Sequence, residues 1–173
     1  GPVTAAIVTV AGRERAILSA GAGTGQLLFL TNSAGNPRVA ISTIYGGYHI
    51  FGSLNTRFDQ PLDVIVSNTL RFYPNLQSSA DLNLYPIGKV ISLGDTYVIV
   101  NASPDFTGTV FVRGLNGVGS YVLYKTGTLP NAAAFVIEGG RLALSALTSG
   151  TLATLPTVTN NSPIVLRNGA TLY

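Results

Sequence analysis

Cysteine, methionine and tryptophan are absent from this 173-residue chain, histidine occurs once, and only ten basic and seven acidic residues carry a full charge. Each absence removes a class of chemistry. Without cysteine there is no disulfide, no thiolate metal site and no thiol nucleophile, and the chain is indifferent to redox poise. One histidine is too few for a multi-histidine metal centre. The scarcity of charge reaches further. By mass scaling, a folded monomer of this size exposes roughly 8,000 Å², or about one charge per 470 Å², where an ordinary composition supplies one per roughly 190 Å². The remaining surface must be Thr, Ser, Asn, Gly and exposed apolar groups, and large apolar patches mark contact with another body. The composition therefore predicts a subunit of an assembly more readily than a solitary enzyme.

Long hydrophobic runs are missing too. Mean hydropathy is +0.39, yet no stretch approaches the about 18 apolar residues of a membrane-spanning helix, so a soluble or peripheral protein is expected. No basic segment followed by an apolar one opens the sequence, and no signal peptide is expected. The net charge of +3 is spread over basic residues scattered from Arg13 to Arg167, without a block that would announce nucleic acid.

What is present is strand chemistry. β-Branched and aromatic residues alternate with polar ones and are punctuated by Gly, Pro, Asn and Asp, which predicts strands at 3–10, 15–19, 26–31, 38–45, 48–51, 62–66, 70–73, 89–92, 96–101, 109–113, 120–124, 134–138, 141–145 and 164–167. So many short strands argue for two layers that bury each other's inner faces, and the expected fold is all-β, one antiparallel barrel or sandwich spanning 1–173. Asn168-Gly169 and Gly139-Gly140 suit hairpin turns, because a type I′ turn needs positive φ at both central residues. Residues 74–86 are expected to form a long crossover loop. No fixed repeat stands out, which leaves a propeller or solenoid as a minor alternative.

Candidate chemistry is thin. His49 would need a nucleophile and an orienting acid from elsewhere, with Ser42, Asp59 and Asp63 its nearest candidates in sequence, and it reads as a structural histidine beside aromatics. Asp59 and Asp63 flank Gln60-Pro61-Leu62, a turn into a strand, rather than forming a catalytic carboxylate pair. The glycines of Gly21-Ala22-Gly23-Thr24-Gly25 lack the third glycine, the helix and the βαβ setting of a dinucleotide loop. No catalytic residue, metal site or cofactor site is assigned, and neither an enzyme nor a small-molecule substrate is expected. Tyr45, Tyr48 and Phe51 around Gly46-Gly47 form the one candidate interaction platform, since aromatics on a loop stack on sugar rings or anchor interfaces.

A cysteine-free, weakly charged, Gly/Thr/Asn-rich chain with apolar ends at Val3-Thr4-Ala5-Ala6-Ile7-Val8-Thr9-Val10 and Ile164-Val165-Leu166-Arg167 resembles the single-jelly-roll capsid subunits of membrane-containing icosahedral Thermus phages. That resemblance implies an antiparallel jelly roll that forms homodimers or higher oligomers in a virion. It further implies packing beside a second capsid protein over an internal membrane, without specific nucleic-acid binding. A β-sandwich adhesin or carbohydrate-binding spike module, with Tyr45, Tyr48 and Phe51 as its platform, is the alternative.

Overall fold

A computed structural model describes residues 3–19, 27–35, 38–94, 103–114, 120–145 and 161–173. Among the described residues there are sixteen strands and no helix. They divide between two sheets. Sheet A holds β1 (Val3–Ala5), β3 (Arg15–Ser19), β4 (Leu27–Leu30), β6 (Tyr48–Phe58), β8 (Thr69–Gln77), β10 (Val90–Leu93), β12 (Tyr121–Lys125), β14 (Arg141–Ser145) and β16 (Thr171–Leu172). Sheet B holds β2 (Ile7–Ala11), β5 (Val39–Ile44), β7 (Leu62–Val66), β9 (Leu82–Pro86), β11 (Thr109–Arg113), β13 (Ala134–Glu138) and β15 (Ile164–Arg167).

Among the described residues every strand pairing is parallel, from β2 on β5 and β5 on β7 in sheet B to β12 on β14 and β14 on β16 in sheet A. From β4 onward the described strands alternate between the sheets, and from β6 onward each lies on the one two places earlier in sequence. Parallel neighbours need a long crossover, usually a helix. Here the crossover is the intervening strand of the opposite sheet, and the chain winds as a two-sheet parallel coil, a β-solenoid. This corrects the expected antiparallel jelly roll: neighbouring strands run the same way, and neither sheet closes into a barrel.

The expected hairpins explain the error. Asn168 and Gly169 do adopt positive φ, 54° and 73°, as a type I′ turn demands. Yet they connect β15 of sheet B to β16 of sheet A, so the tight turn is a corner between layers and not a link between paired strands. Gly139, at φ 68°, turns the corner from β13 to β14 in the same way. The period is irregular as well: vertically equivalent residues are separated by 20 positions from Leu62 to Leu82, 28 from Leu82 to Val110 and 25 from Val110 to Phe135. Intervals of different length between equivalent positions erase the fixed repeat that would have announced a solenoid.

Most strand positions agree with the sequence pattern, and 15–19, 62–66, 109–113, 134–138, 141–145 and 164–167 coincide with it. Residues 74–86 differ: β8 continues through Pro74 to Gln77, and β9 begins at Leu82. Pro74 has no N–H for the ladder, but the Ser103 hydroxyl donates to its carbonyl at 3.1 Å and accepts from the Leu76 N–H at 2.9 Å. A buried side chain thus replaces the missing strand partner. The strand expected at 96–101 and the glycine loop at 21–25 lie outside the described residues.

Inward side chains stack in vertical columns, one residue per coil. In sheet B the column is Ile41, Val64, Leu84, Val112, Ile137 and Leu166; in sheet A it is Leu70, Ile91, Val122, Leu142 and Leu172. Phe51 stacks on Phe72 with ring centroids 5.5 Å apart, and Tyr124 meets Phe135 across the core at 4.5 Å. The two sheets enclose one continuous apolar core, burying the period-two alternation that marks half-buried strands.

Candidate functional site

The two outer faces differ in kind. On sheet B a chain of polar contacts runs across successive coils. Arg38 donates to Asp63 Oδ2 at 2.7 Å, Asn83 Nδ2 donates to Asp63 Oδ1 at 3.0 Å, and Arg113 Nε donates to Asn83 Oδ1 at 3.2 Å. Arg113 also pairs with Glu138, which accepts from Arg167 at 3.4 Å. Cations and carboxylates alternate here, and each charge on this face is answered by a neighbour.

Sheet A's outer face carries cations and aromatic rings. Its outward positions include Arg15 on β3, Tyr48 and Arg57 on β6, Arg71 and Tyr73 on β8, Tyr121 on β12 and Arg141 on β14. Among the described residues, no strand of sheet A contains a carboxylate. The nearest ones, Glu14 and Asp59, sit in the turns before β3 and after β6. Arg15 and Arg71 lie against the Tyr48 ring, 5.8 and 5.3 Å from its centroid, each drawn by the negative face of the aromatic system. Tyr73 is in register with Gly52, and a Cβ at Gly52 would overlap the tyrosine ring. Glycine there lets the ring lie down on the backbone. Between the cations stand neutral hydrogen-bonding groups: Thr69, Ser92 and the Asn55–Asn75 pair, joined at 2.8 Å.

The expected platform is divided by this geometry. Phe51 is fully buried beneath the sheet, Tyr48 is half-buried on the outer face, and Tyr45 is 74% exposed in the turn ahead of it. One β-period separates inward from outward neighbours, so Tyr48 and Phe51 cannot share a surface while both belong to one straight strand. Tyr45 has φ 64°, a conformation that bulky residues rarely adopt. Its carbonyl accepts from His49 Nε2 at 2.8 Å and from Asn68 Nδ2, which also donates to the Gly46 carbonyl at 3.0 Å.

Comparison of the chain with protein family models, with curated proteins and with solved structures returns no match. His49 offers no general base: it is fully buried, its Nδ1 accepts from the Ala16 N–H at 2.9 Å, and its Nε2 carries the proton given to Tyr45. Asp59 accepts from the Thr31 hydroxyl at 3.1 Å, whereas Asp63 is engaged by Arg38 and Asn83 on the other sheet. No group of three or more His, Asp or Glu that could hold a metal occurs among the described residues. No helix among them is long and apolar enough to cross a membrane.

The sequence pointed to aromatics but missed the arginines that accompany them. Arg15, Arg71 and Arg141 are 56 and 70 positions apart along the chain. Only the parallel stacking of coils brings them to one face.

The cavity at the amino-terminal end, about 280 Å³, is lined by Val3, Ala5, Val8, Leu18 and Leu28 among others. These occupy core-facing positions in the first coil. At the other end the core columns finish at Leu166 and Leu172, which are 48% and 38% exposed, although their column neighbours Ile137 and Leu142 are fully buried.

Proposed function

We propose that the protein is a non-enzymatic structural subunit of a large particle, such as a virion, and that it associates with copies of itself end to end. The observation that carries this reading is that core columns run out into solvent at the last coil. Leu166 and Leu172 occupy positions that every earlier coil covers with its successor, and the first coil exposes Val3 at 59%. A parallel coil has translational geometry, so the amino-terminal edge of one copy matches the hydrogen-bonding direction of the carboxy-terminal edge of another. Such a contact is heterologous, and heterologous contacts generate rings where the rotation closes and filaments where it does not. Low charge supports the same reading, because few ions need to lose water when the ends meet. The upright barrels of an icosahedral shell are replaced in this proposal by stacked coils.

Light scattering after size exclusion tests it. Mass is expected to rise with concentration, and replacing Leu166 and Leu172 together by Glu is expected to hold the protein at monomer mass with its β circular dichroism intact. A constant monomer mass for the unaltered chain over the whole accessible concentration range would overturn the proposal.

A further inference from the structure

We propose that His49 is an acid-sensitive clasp between the first two coils, and that protonation of its ring releases β3 from the turn at 44–48. The clasp lies within a single chain and works whether or not copies associate end to end.

The residue stands out in its own column. In the coils that follow, the inward position at this level is aliphatic: Leu70, Ile91, Val122 and Leu142. His49 instead places an ionisable ring there, in register with Ala16 on one side and Leu70 on the other. It is fully buried. The turn closes over it, since a Cβ at Gly46 would come within 3.0 Å of the ring's Cε1 and collide with the Gly12 carbonyl. The backbone N–H groups of Gly47 and Tyr48 donate to the Glu14 carbonyl at 3.2 and 3.3 Å, so the first corner and the second turn meet at this ring.

Its two hydrogen bonds permit one protonation state. The Ala16 N–H can only donate, so Nδ1 must offer its lone pair at 2.9 Å; the Tyr45 carbonyl can only accept, so the single ring proton sits on Nε2 at 2.8 Å. A second proton, taken from solvent, has only Nδ1 to occupy. There it faces the Ala16 N–H, donor against donor, and a bond is lost while a charge is buried. No carboxylate on the packed elements offsets that charge. Arg15, Tyr48, Arg71 and Tyr73 hold strand positions out of phase with His49, on the outer face of sheet A. Arg13 and Glu14 are exposed on the first corner, Arg57 lies beyond the register shift in β6, and Asp63 is engaged by Arg38 and Asn83 on sheet B. Tyr45 offers the ring its carbonyl.

Acid therefore favours the open state. Once the ring reaches water it takes up a proton as a free imidazole does, at about pH 6.5, whereas the closed clasp needs the neutral ring. Above that pH the clasp contributes fully, and its contribution is lost as pH falls. Between about pH 7.5 and about pH 5.5, an opening that exposes the ring becomes about tenfold more populated, because only the open form gains the proton. Free carboxylates titrate at about pH 4, below this window. β3 is the element set loose, since among the described strands it pairs with β6 alone.

Nuclear magnetic resonance reads the ring directly, because the chain has one histidine. At neutral pH its nitrogen signals are expected to show a proton on Nε2 and none on Nδ1. Amide exchange, corrected for the intrinsic effect of pH, is expected to quicken about tenfold in β3 and in the turn between about pH 7.5 and about pH 5.5, with β9 and β11 unchanged. His49→Gln, which gains no proton in this range, is expected to exchange alike at both. A proton on Nδ1 at neutral pH would overturn the proposal, as would β3 exchange indifferent to acid, an equal rise in every strand, or an acid response that survives in His49→Gln. Should that variant not fold, the ring signals and the exchange of the unaltered chain decide by themselves.

Discussion

At the scale of single residues, buried polar groups act as fasteners and not as reagents. His49 and Asn68 converge on the Tyr45 carbonyl, while Asn68 Oδ1 accepts from the Thr43 hydroxyl at 2.8 Å. Together they fix a turn whose backbone a tyrosine would not choose alone. Tyr124 has a different part. Burial pushes its phenol above the ordinary 10.0, with the Leu129 and Gly127 backbone groups pulling the other way. Below that ordinary value the folded and unfolded chains both keep the proton, and the burial of Tyr124 contributes fully. Above it the unfolded chain ionises first, so stability falls as pH rises, until the folded phenol ionises too. Tyr124→Phe removes this dependence. Urea titrations on both sides of pH 10 should show the unaltered protein losing more stability on the alkaline side than the variant does. Parallel alkaline losses in the two proteins would mean that Tyr124 does not contribute.

At the scale of elements, corners matter as much as strands. Gly88 follows β9, and a Cβ there would run into the carbonyl of Ser67 in the coil before it. Backbone cannot swing aside as a side chain can, so Gly88→Ala should cost about 1–3 kcal/mol, the range for forcing extra volume into a packed site. Gly47→Ala meets nothing within 4 Å and should change stability by less than about 0.5 kcal/mol. Equilibrium denaturation of the two variants checks the contrast. Corners also account for what the sequence left illegible. Alternation located most strands, because a half-buried strand has the same inward and outward pattern whichever neighbour it pairs with. Asn168-Gly169 likewise disclosed its turn conformation but not its destination, since the same positive-φ pair serves a hairpin and a sharp corner. Pairing direction depends on what lies 20 to 33 residues away, as from Leu62 to Leu82 and from Arg15 to Tyr48. No local signal carries that distance. The arginine face was hidden for the same reason, whereas the burial of Phe51 three residues after Tyr48 was available from the period of two.

At the scale of the whole molecule, a coil is nearly one-dimensional. Each strand pairs only with those directly before and after it in the stack, and stability is approximately a sum of such neighbour terms. Central strands β7, β9 and β11 have neighbours on both sides; β15 and β16 have one, and Leu166 and Leu172 are left partly in water. Amide exchange should therefore be slowest in the middle and fastest at the two ends, because opening an end breaks a single interface whereas opening the centre breaks two. End-to-end association adds a second, separable dependence. If another copy supplies the missing neighbour, raising protein concentration must slow exchange in β1, β2, β15 and β16 and leave β7, β9 and β11 unchanged, since binding stabilises only the state it binds. Exchange measured by mass spectrometry at dilute and concentrated conditions resolves these strands. A uniform change over all coils would indicate nonspecific crowding of the surface, and unaltered end strands in a sample whose mass has risen would place the contact on the flat faces instead. The pairing of Leu166→Glu with Leu172→Glu should abolish the concentration effect at both ends at once, because in a heterologous contact each end is protected only through the other.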